Sequence, residues 1–466
     1  MEKDLTKGNP LGLILRFAIP MFIGNCFQQL YNMVDTVIVG RFVGDRALAA
    51  VGSVGTIFFL VVGASNGMAI GFTILTSQRF GAGDADGTRR SVANGILLSA
   101  CTALVMSLIS LSLMRPLLAA MHTPAEILGD AYAYISVICG GLACTLFYNL
   151  MASLLRAVGN SRVPLYFLIF SSCLNVVLDL TFILCFHLGT RGAALATVLS
   201  QGVSALLCII YIYEKVPVLR PEASMFRPDP AFSREQLRSA LPMALIYAIT
   251  ASGTIIMQSA VNLFGAVAVA GYTAASKIHM LLTQGYFSLG QAMSAYAGQN
   301  FGGGDFARIR KGVGAAVLIL AVYTVLSFTL SNTLLPVLLP FFFDPGTDLS
   351  LFSGWAETYI RINTAFYIFL GTIFVFRSVI QGVGRAGTAL AVGFAELTGR
   401  IFMARASMRA GSYRMAASAD GAAWLCGALT ALFLYFLVMR GLEKGAGEKK
   451  GDQSAWQDPD RDRNRN

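Results

Sequence analysis

The chain has 466 residues, 55% of them hydrophobic and only 13% charged, with a mean hydropathy of +0.64. Soluble domains carry about 25% charged residues, so this balance excludes a soluble globular protein and indicates an integral membrane one. The formal net charge of +10 follows from the placement of Lys and Arg described below and does not call for a nucleic-acid partner.

The apolar residues fall in about twelve runs that approach or exceed the roughly 20 residues a membrane helix needs: 13–38, 50–76, 92–114, 130–154, 164–186, 192–213, 239–264, 268–297, 313–337, 356–381, 388–407 and 419–440. Met1 to Pro10 is polar, and the first run is long and lacks a small-residue cleavage site, so it reads as a retained helix. That run carries Pro20, which should kink it and free a carbonyl. It also carries Gln28, Asn32 and Asp35 at i, i+4 and i+7, a polar stripe on one face. Gln78 to Asp84 is a Gly-rich loop after the second run. In the fifth run Asn175 and Asp179, four apart, share a face; in the sixth, Thr197, Gln201 and Ser204 form another stripe. The Pro-rich polar stretch 214–238 (Pro217, Pro221, Pro228, Pro230) reads as a linker between an N-terminal lobe, 1–213, and a C-terminal lobe, 239–441. The charged, apolar-poor tail 442–466 is expected to be disordered.

The C-terminal half carries a neutral stripe, Thr250, Thr254, Gln258 and Asn262, and the charged Lys277, Arg377, Glu396 and Arg400. Glu396 and Arg400, at i,i+4, are expected to neutralise each other as a structural salt bridge. Arg405, Arg409 and Arg414 crowd the end of the eleventh run and the stretch after it. Elsewhere Lys and Arg concentrate on one side: Lys3 and Lys7; Arg79, Arg89 and Arg90; Arg156 and Arg162; Lys215, Arg220, Arg227 and Arg234; Arg308, Arg310 and Lys311; then Arg440, Lys444, Lys449 and Lys450. The opposite side holds only Arg41, Arg46, Arg115, Arg191 and Arg361. The positive-inside rule therefore puts both termini in the cytoplasm.

The second half repeats the first. Gln78-Arg79-Phe80-Gly81-Ala82-Gly83-Asp84 returns as Gln299-Asn300-Phe301-Gly302-Gly303-Gly304-Asp305, an offset of 299 − 78 = 221. Pro20 pairs with Pro242, Gly44 with Gly265, Arg89-Arg90 with Arg310-Lys311, and Arg156-Ala157-Val158-Gly159 with Gln381-Gly382-Val383-Gly384. So long a period means a duplicated domain. Six helices per half enter the membrane in the same sense, a parallel repeat whose site is expected near the interface of the halves.

Several chemistries are not indicated. The eight cysteines lie inside apolar runs with no CxxC and read as small hydrophobes. Three histidines (His122, His187, His279) give no transition-metal or haem pattern. No phosphate-loop motif is present, so neither ATP nor an enzymatic reaction is indicated, and transport would run on an ion gradient without a cofactor.

An ionised carboxylate at mid-bilayer costs about 2.5–3.5 kcal/mol on insertion scales, so Asp35 and Asp179 call for a function or a partner. Counted from the ends of their runs, Asp35 and Thr197 lie about 8 Å in from the outer surface and Asp179 roughly 12 Å. Two carboxylates, the Asn175 amide and the Thr197 hydroxyl at similar depth are hard oxygen ligands for Na⁺ or a proton. Close acids repel, which favours proton exchange; Na⁺ would need both ionised. Asn175 and Thr197 alone read equally well as helix-to-helix hydrogen bonders.

The segments Pro20…Gln28-Gln29-Leu30-Tyr31-Asn32-Met33-Val34-Asp35-Thr36, Gln78 to Asp84, Leu155-Arg156-Ala157-Val158-Gly159-Asn160, Asn175-Val176-Val177-Leu178-Asp179 and Arg191-Gly192-Ala193-Ala194-Leu195-Ala196-Thr197 resemble the multidrug and toxic-compound extrusion (MATE) transporters, over roughly residues 8 to 440. The resemblance implies an all-α membrane protein of two six-helix lobes in a V, exporting organic, often cationic, compounds in exchange for Na⁺ or H⁺. It assigns Asp35, Asn175, Asp179 and Thr197 to an N-lobe cation site, matches Asn149 to a polar pocket position, and matches Pro20 to a proline that bends the aspartate-bearing helix. A C-lobe cation site found in one subgroup is not expected, because Thr250 and Leu370 stand where its acids would be. Gln28, Tyr31, Asn32, Asn149 and Gln201, with Tyr148, Met33, Met151 and Met257, offer an adaptable drug cavity. By depth, Asn149 falls nearer the cytoplasmic side. The expected partners are a small organic substrate and the lipid bilayer, with the chain acting as a monomer in the cell membrane. The alternatives are a lipid-linked saccharide flippase of the same superfamily, which would prefer a cationic cavity, and a major-facilitator-type carrier, whose loop signature differs.

Overall fold

In a bilayer every backbone N–H and C=O must be satisfied within its own segment, which leaves helices as the way to cross. The computed structural model describes residues 4–121, 123–343 and 347–456, with side chains to residue 445, and is helical almost throughout. Twelve long segments follow one another: α1 (Pro10–Ile38), α2 (Gly55–Gly81), α3 (Ala85–Ala120), α4 (Ala125–Gly140 and Leu142–Ala157), α5 (Arg162–Leu180), α6 (Gly189–Lys215), α7 (Pro230–Asn262), α8 (Gly265–Gly302), α9 (Phe306–Leu338), α10 (Ser350–Ala365 and Tyr367–Gly382), α11 (Ala386–Ala410) and α12 (Ala419–Trp456). Eight of these, and the bent α4 and α10 taken whole, are long and apolar enough to cross a membrane. The other two are α8 and α11, whose polar and charged residues, Lys277 and Gln284 or Glu396 and Arg400 among them, dilute the apolar run.

Several boundaries differ from the sequence reading. Residues 45–53 form a short separate helix, so α2 starts at Gly55 and not at residue 50. Helix α7 starts at Pro230, nine residues inside the expected linker, because the Asp229 carboxylate caps it by accepting from the amides of Ala231 and Phe232 at 2.9 and 3.2 Å. Helix α12 runs to Trp456, through much of the tail expected to be disordered; Glu443, Lys444, Ala446, Glu448, Lys449 and Lys450 are good helix formers. Residues 457–466 of that tail lie outside the described residues.

The duplication is visible in the backbone. Helices α4 and α10 bend by 47° and 49° at Gly141 and Phe366, and 366 − 141 = 225, the offset that relates Arg156 to Gln381. Gly83 and Gly304 (304 − 83 = 221) both take φ +73°, a left-handed conformation only glycine adopts without strain. The aspartate after each, Asp84 or Asp305, caps the next helix, accepting from the Gly87 or Arg308 amide at 2.8 Å. The Gly-rich motif is thus a tight turn followed by an N-cap.

Within the N-lobe α2 packs on α3 and α4, and α5 on α1 and α6; in the C-lobe α8 packs on α9 and α10, and α11 on α7 and α12. The first halves of α1 and α7 are exchanged. Ile14, Phe17 and Met21 of α1 lie in the C-lobe core with Tyr286, Met293 and Tyr296. At Gly24 the helix also meets Leu165 and Leu168 of α5, and its second half packs into the N-lobe. Likewise Ala240 of α7 belongs to the N-lobe core, while Met257 and Ala260 belong to the C-lobe. Pro20 and Pro242 sit inside these two helices near the crossover.

Candidate functional site

The membrane-embedded acids meet in the N-lobe. Asp35 on α1 is 9% exposed, and Asn175 and Asp179 on α5 are 1% and 0% exposed. The α1–α5 packing sets the Asp35 and Asp179 carboxyls within hydrogen-bonding reach of each other. The Asn175 amide, oriented to satisfy its neighbours, donates to Asp179 Oδ2 at 3.1 Å and accepts from the Thr197 backbone N–H at 3.2 Å, which joins α5 to α6. The Tyr31 hydroxyl faces Thr197 and Gln201. Among the described residues three buried oxygens of this cluster have no hydrogen-bond partner: Asp35 Oδ1, Asp179 Oδ1 and Gln201 Oε1.

Two adjacent carboxyls buried away from Lys and Arg cannot both be ionised unless a cation lies between them, and unpaired buried oxygens are costly. The donor set, two carboxylates and the Gln201 amide oxygen with hydroxyls nearby, suits a proton or a small hard cation such as Na⁺. Tyr134, buried on the first half of α4, lies within electrostatic range of Asp35, Tyr31 and Asp179. Sequence reading missed it, since it lies on a different helix from the acids and its approach to them depends on how α4 packs.

The remaining pocket candidates spread out. Gln28 and Asn32 lie two turns and one turn before Asp35 on α1, with Asn32 exposed. Asn149 is on the second half of α4, on the face it shares with Ser153 and Arg156 and away from the acids. Pro20 is enclosed in a continuous helix. Met151 and Met257 are buried core residues, Tyr148 is buried, and Met33 is exposed.

The C-lobe charges are paired differently from the sequence expectation. Glu396 and Arg400 do not bridge each other. Glu396 takes Arg377 of α10 at 3.0 Å and Arg400 takes Asp420 of α12 at 2.8 Å, because the shared α11 face lies between two helices that each supply an opposite charge. On α7, Thr250 and Thr254 hydroxyls donate to carbonyls one turn back, and Gln258 donates to Asn262 at 2.8 Å. That stripe satisfies itself.

The two lobes are sealed against each other at the end that carries the Gly-rich loops. Gln78 Nε2 donates to the Gly382 carbonyl at 2.8 Å, and Gln299 Nε2 to the Ala157 carbonyl at 2.7 Å. These are equivalent contacts, since 299 − 78 = 221 and 382 − 157 = 225. Each glutamine of the repeated motif thus reaches across to the end of the other lobe's bent helix. Between them Gly81 and Gly302 cross so closely that a Cβ on either would overlap the Gln299 or Gln78 carbonyl. Further in, Ser77 donates to the Ala295 carbonyl at 3.2 Å, Asn25 to Ser288 at 2.9 Å and Asn66 to Tyr247 at 3.1 Å.

Two duplicated helical bundles, a seal at one end of their interface and a buried acid cluster inside one of them define a multi-pass membrane transporter. The MatE family model matches residues 20–181 and again 242–404, and the chain belongs to that family. A probable multidrug resistance protein, YpnP of Bacillus subtilis, is 27% identical over 383 residues, covering 82% of this chain and 84% of that protein. The multidrug export protein MepA of Staphylococcus saprophyticus is 24% identical over 390 residues, 81% of this chain and 83% of its own length. In fold, the chain matches the outward-facing conformation of a multidrug resistance MATE family transporter of the MOP superfamily with a TM-score of 0.88 at 22% identity, over 94% of this chain and 98% of that one.

Proposed function

We propose that the protein is an antiporter of the cell membrane that exports organic cations by alternating access of its two lobes, driven by Na⁺ or H⁺ bound among Asp35, Asn175, Asp179 and Thr197. The observation that carries this reading is the facing pair of buried carboxyls with unpartnered oxygens at Asp35, Asp179 and Gln201. Such a cluster is poised to gain and lose one cation, because only a bound proton or metal ion relieves the repulsion. The route from ion to motion runs along α1. Its first half is built into the C-lobe core and its second half, with Asp35, into the N-lobe. Neutralising Asp35 changes how the second half is held, and Pro20, whose ring removes one helical hydrogen bond, lets the halves move separately. The relatives named as multidrug proteins support an organic substrate. The acidic character of the buried groups favours a cationic substrate over the diphosphate of a lipid-linked saccharide. In this reading both termini face the cytoplasm, the seal closes the cytoplasmic end, and the chain works as a monomer.

The test is efflux of ethidium from proteoliposomes under an imposed Na⁺ or pH gradient. A coupling free energy of about 1–3 kcal/mol corresponds to roughly 5–150-fold in binding, so Asp35→Asn and Asp179→Asn should each lower gradient-driven efflux by a factor in that range. Gradient-driven efflux at the wild-type rate in both variants would sink the coupling site. The driving ion is whichever gradient accelerates efflux by the unmodified protein.

A further inference from the structure

One turn inward from the seal, between the lobes, lies a cavity of about 50 Å³ whose polar lining is Thr73, Ser77, Ser153, Arg156, Gln291 and Ser294. It sits on the pseudo-two-fold axis, for Thr73 and Ser294 are equivalent by the repeat (294 − 73 = 221). Arg156 breaks the symmetry: its counterpart 225 residues on is the neutral Gln381.

Among the described residues Arg156 is in none of the ion pairs. One of its N–H groups donates to Ser153 Oγ at 3.0 Å, which leaves most of its five donors without a protein acceptor. The last-turn position on α4 gives it a favourable helix dipole, but that interaction is small, about 0.3–1 kcal/mol when exposed. The other polar groups sort clearly. The Thr73 and Ser77 hydroxyls already donate to the Ile70 and Ala295 carbonyls. Ser153 accepts from Arg156 and keeps its proton for another acceptor. Ser294 makes no side-chain hydrogen bond among the described residues, and Gln291 Oε1 is buried without a partner there. The open donors therefore come from both lobes, Arg156 and Ser153 from α4 and Ser294 from α8.

We propose that this cavity is a binding site for a small monovalent anion of chloride size, which ties the two lobes together in the sealed state. One negative charge balances the one uncompensated guanidinium. The volume admits a monatomic ion with a few waters. An anion held by both lobes can exist only while the seal is closed, so it favours closure by mass action. This goes beyond the coupling reading and stands or falls independently of it, because it concerns the lobe equilibrium and not the driving ion.

The experiment places spin labels at the exposed, repeat-equivalent Asp86 and Ala307, on the two loop ends, in the full chain with native cysteines replaced. Chloride is titrated against gluconate at constant ionic strength. The short-distance population should rise saturably with chloride in the parent protein. Arg156→Gln should abolish the response, Arg156→Lys should retain a weaker one, and Ser294→Ala should raise half-saturation roughly tenfold, as loss of a hydrogen bond to a charged group does. No chloride response in the parent, or an undiminished one in Arg156→Gln, overturns the proposal; the first means water alone fills the cavity. Should Arg156→Gln not fold, Gln291→Glu serves in its place. Its carboxylate should occupy the anion's position and remove the chloride dependence, and a response retained there overturns the proposal as well.

Discussion

Glu396 and Arg400 stand one turn apart on α11, and their spacing alone suggests a mutual pair; packing decides otherwise. Arg400 is drawn to Asp420 at the start of α12, which also accepts from the Tyr359 hydroxyl at 3.3 Å. The guanidinium fits because Gly253 leaves room; a Cβ there would lie 2.7 Å from Arg400 Nη1. Beside this group His279 stacks on Trp424 and hydrogen-bonds the Tyr367 hydroxyl at 2.9 Å, so α8, α10, α11 and α12 share one polar core. Removing one member of a buried pair strands the other, typically at about 3–5 kcal/mol, whereas replacing both by apolar residues is often neutral. Asp420→Ala should therefore lower the thermal unfolding midpoint strongly, and adding Arg400→Met should restore most of the loss. If the double variant is no more stable than the single one, the pair is not what holds Arg400. Asp420 was not legible as a partner because it opens an otherwise apolar run, and its role depends on how α11 and α12 pack. Asp35, Asn175, Asp179 and Thr197 were legible as a group, because each is a polar residue out of place in an apolar helix and their depths agree.

At the level of elements, the Gly-rich loops could be read from sequence as turns, and the turn and cap geometry at Gly83-Asp84 and Gly304-Asp305 follows from residue type alone. That Gly81 and Gly302 are also the point where α2 and α8 cross could not, because it depends on the placement of both lobes. Nor could the bend at Phe366, where neither proline nor glycine marks a break; only Gly141 in the equivalent place carries a local signal. The crossing has a consequence. Gly302→Ala puts a methyl group where the Gln78 carbonyl now lies, and backbone at such a crossing yields only by separating. The label distance between the two loop ends should lengthen in Gly302→Ala and in Gly81→Ala, with the global fold retained by circular dichroism. Gly314→Ala, where nothing lies within 4 Å of the added carbon, is the matched control and should leave the distance unchanged. An unchanged distance in both crossing variants would mean that the seal is not built on these glycines.

Across the whole molecule, duplication sets up two nearly equal lobes, and function requires them to differ. The coupling acids are one difference and the unpaired Arg156 another. A third lies in the seal. Gln78 and Gln299 make equivalent reaches across the interface, but Gln299 Oε1 also accepts from the Leu5 amide at 2.8 Å, and the same N-terminal segment is held by Asn300 Nδ2 on the Leu5 carbonyl at 3.3 Å and by Arg308 on the Gly8 carbonyl at 2.7 Å. Leu5 itself is buried in the C-lobe core. A single hydrogen bond contributes about 1 kcal/mol net, roughly fivefold in a two-state equilibrium. Gln78→Ala should therefore shift the sealed population by about that factor, whereas Gln299→Ala should shift it further, because the Leu5 amide on Oε1 holds the Gln299 side chain with its Nε2 aimed at the Ala157 carbonyl and so strengthens that bond. Removing residues 1–8 eliminates that second effect, so in the truncated protein the two alanine variants should become equivalent, as the repeat alone would have them. Label distances across the loop ends measure all four proteins. An equal shift for both variants in the full chain would assign the N-terminal segment no part in the seal; a larger shift for Gln299→Ala that survives truncation would place the asymmetry inside the lobes instead.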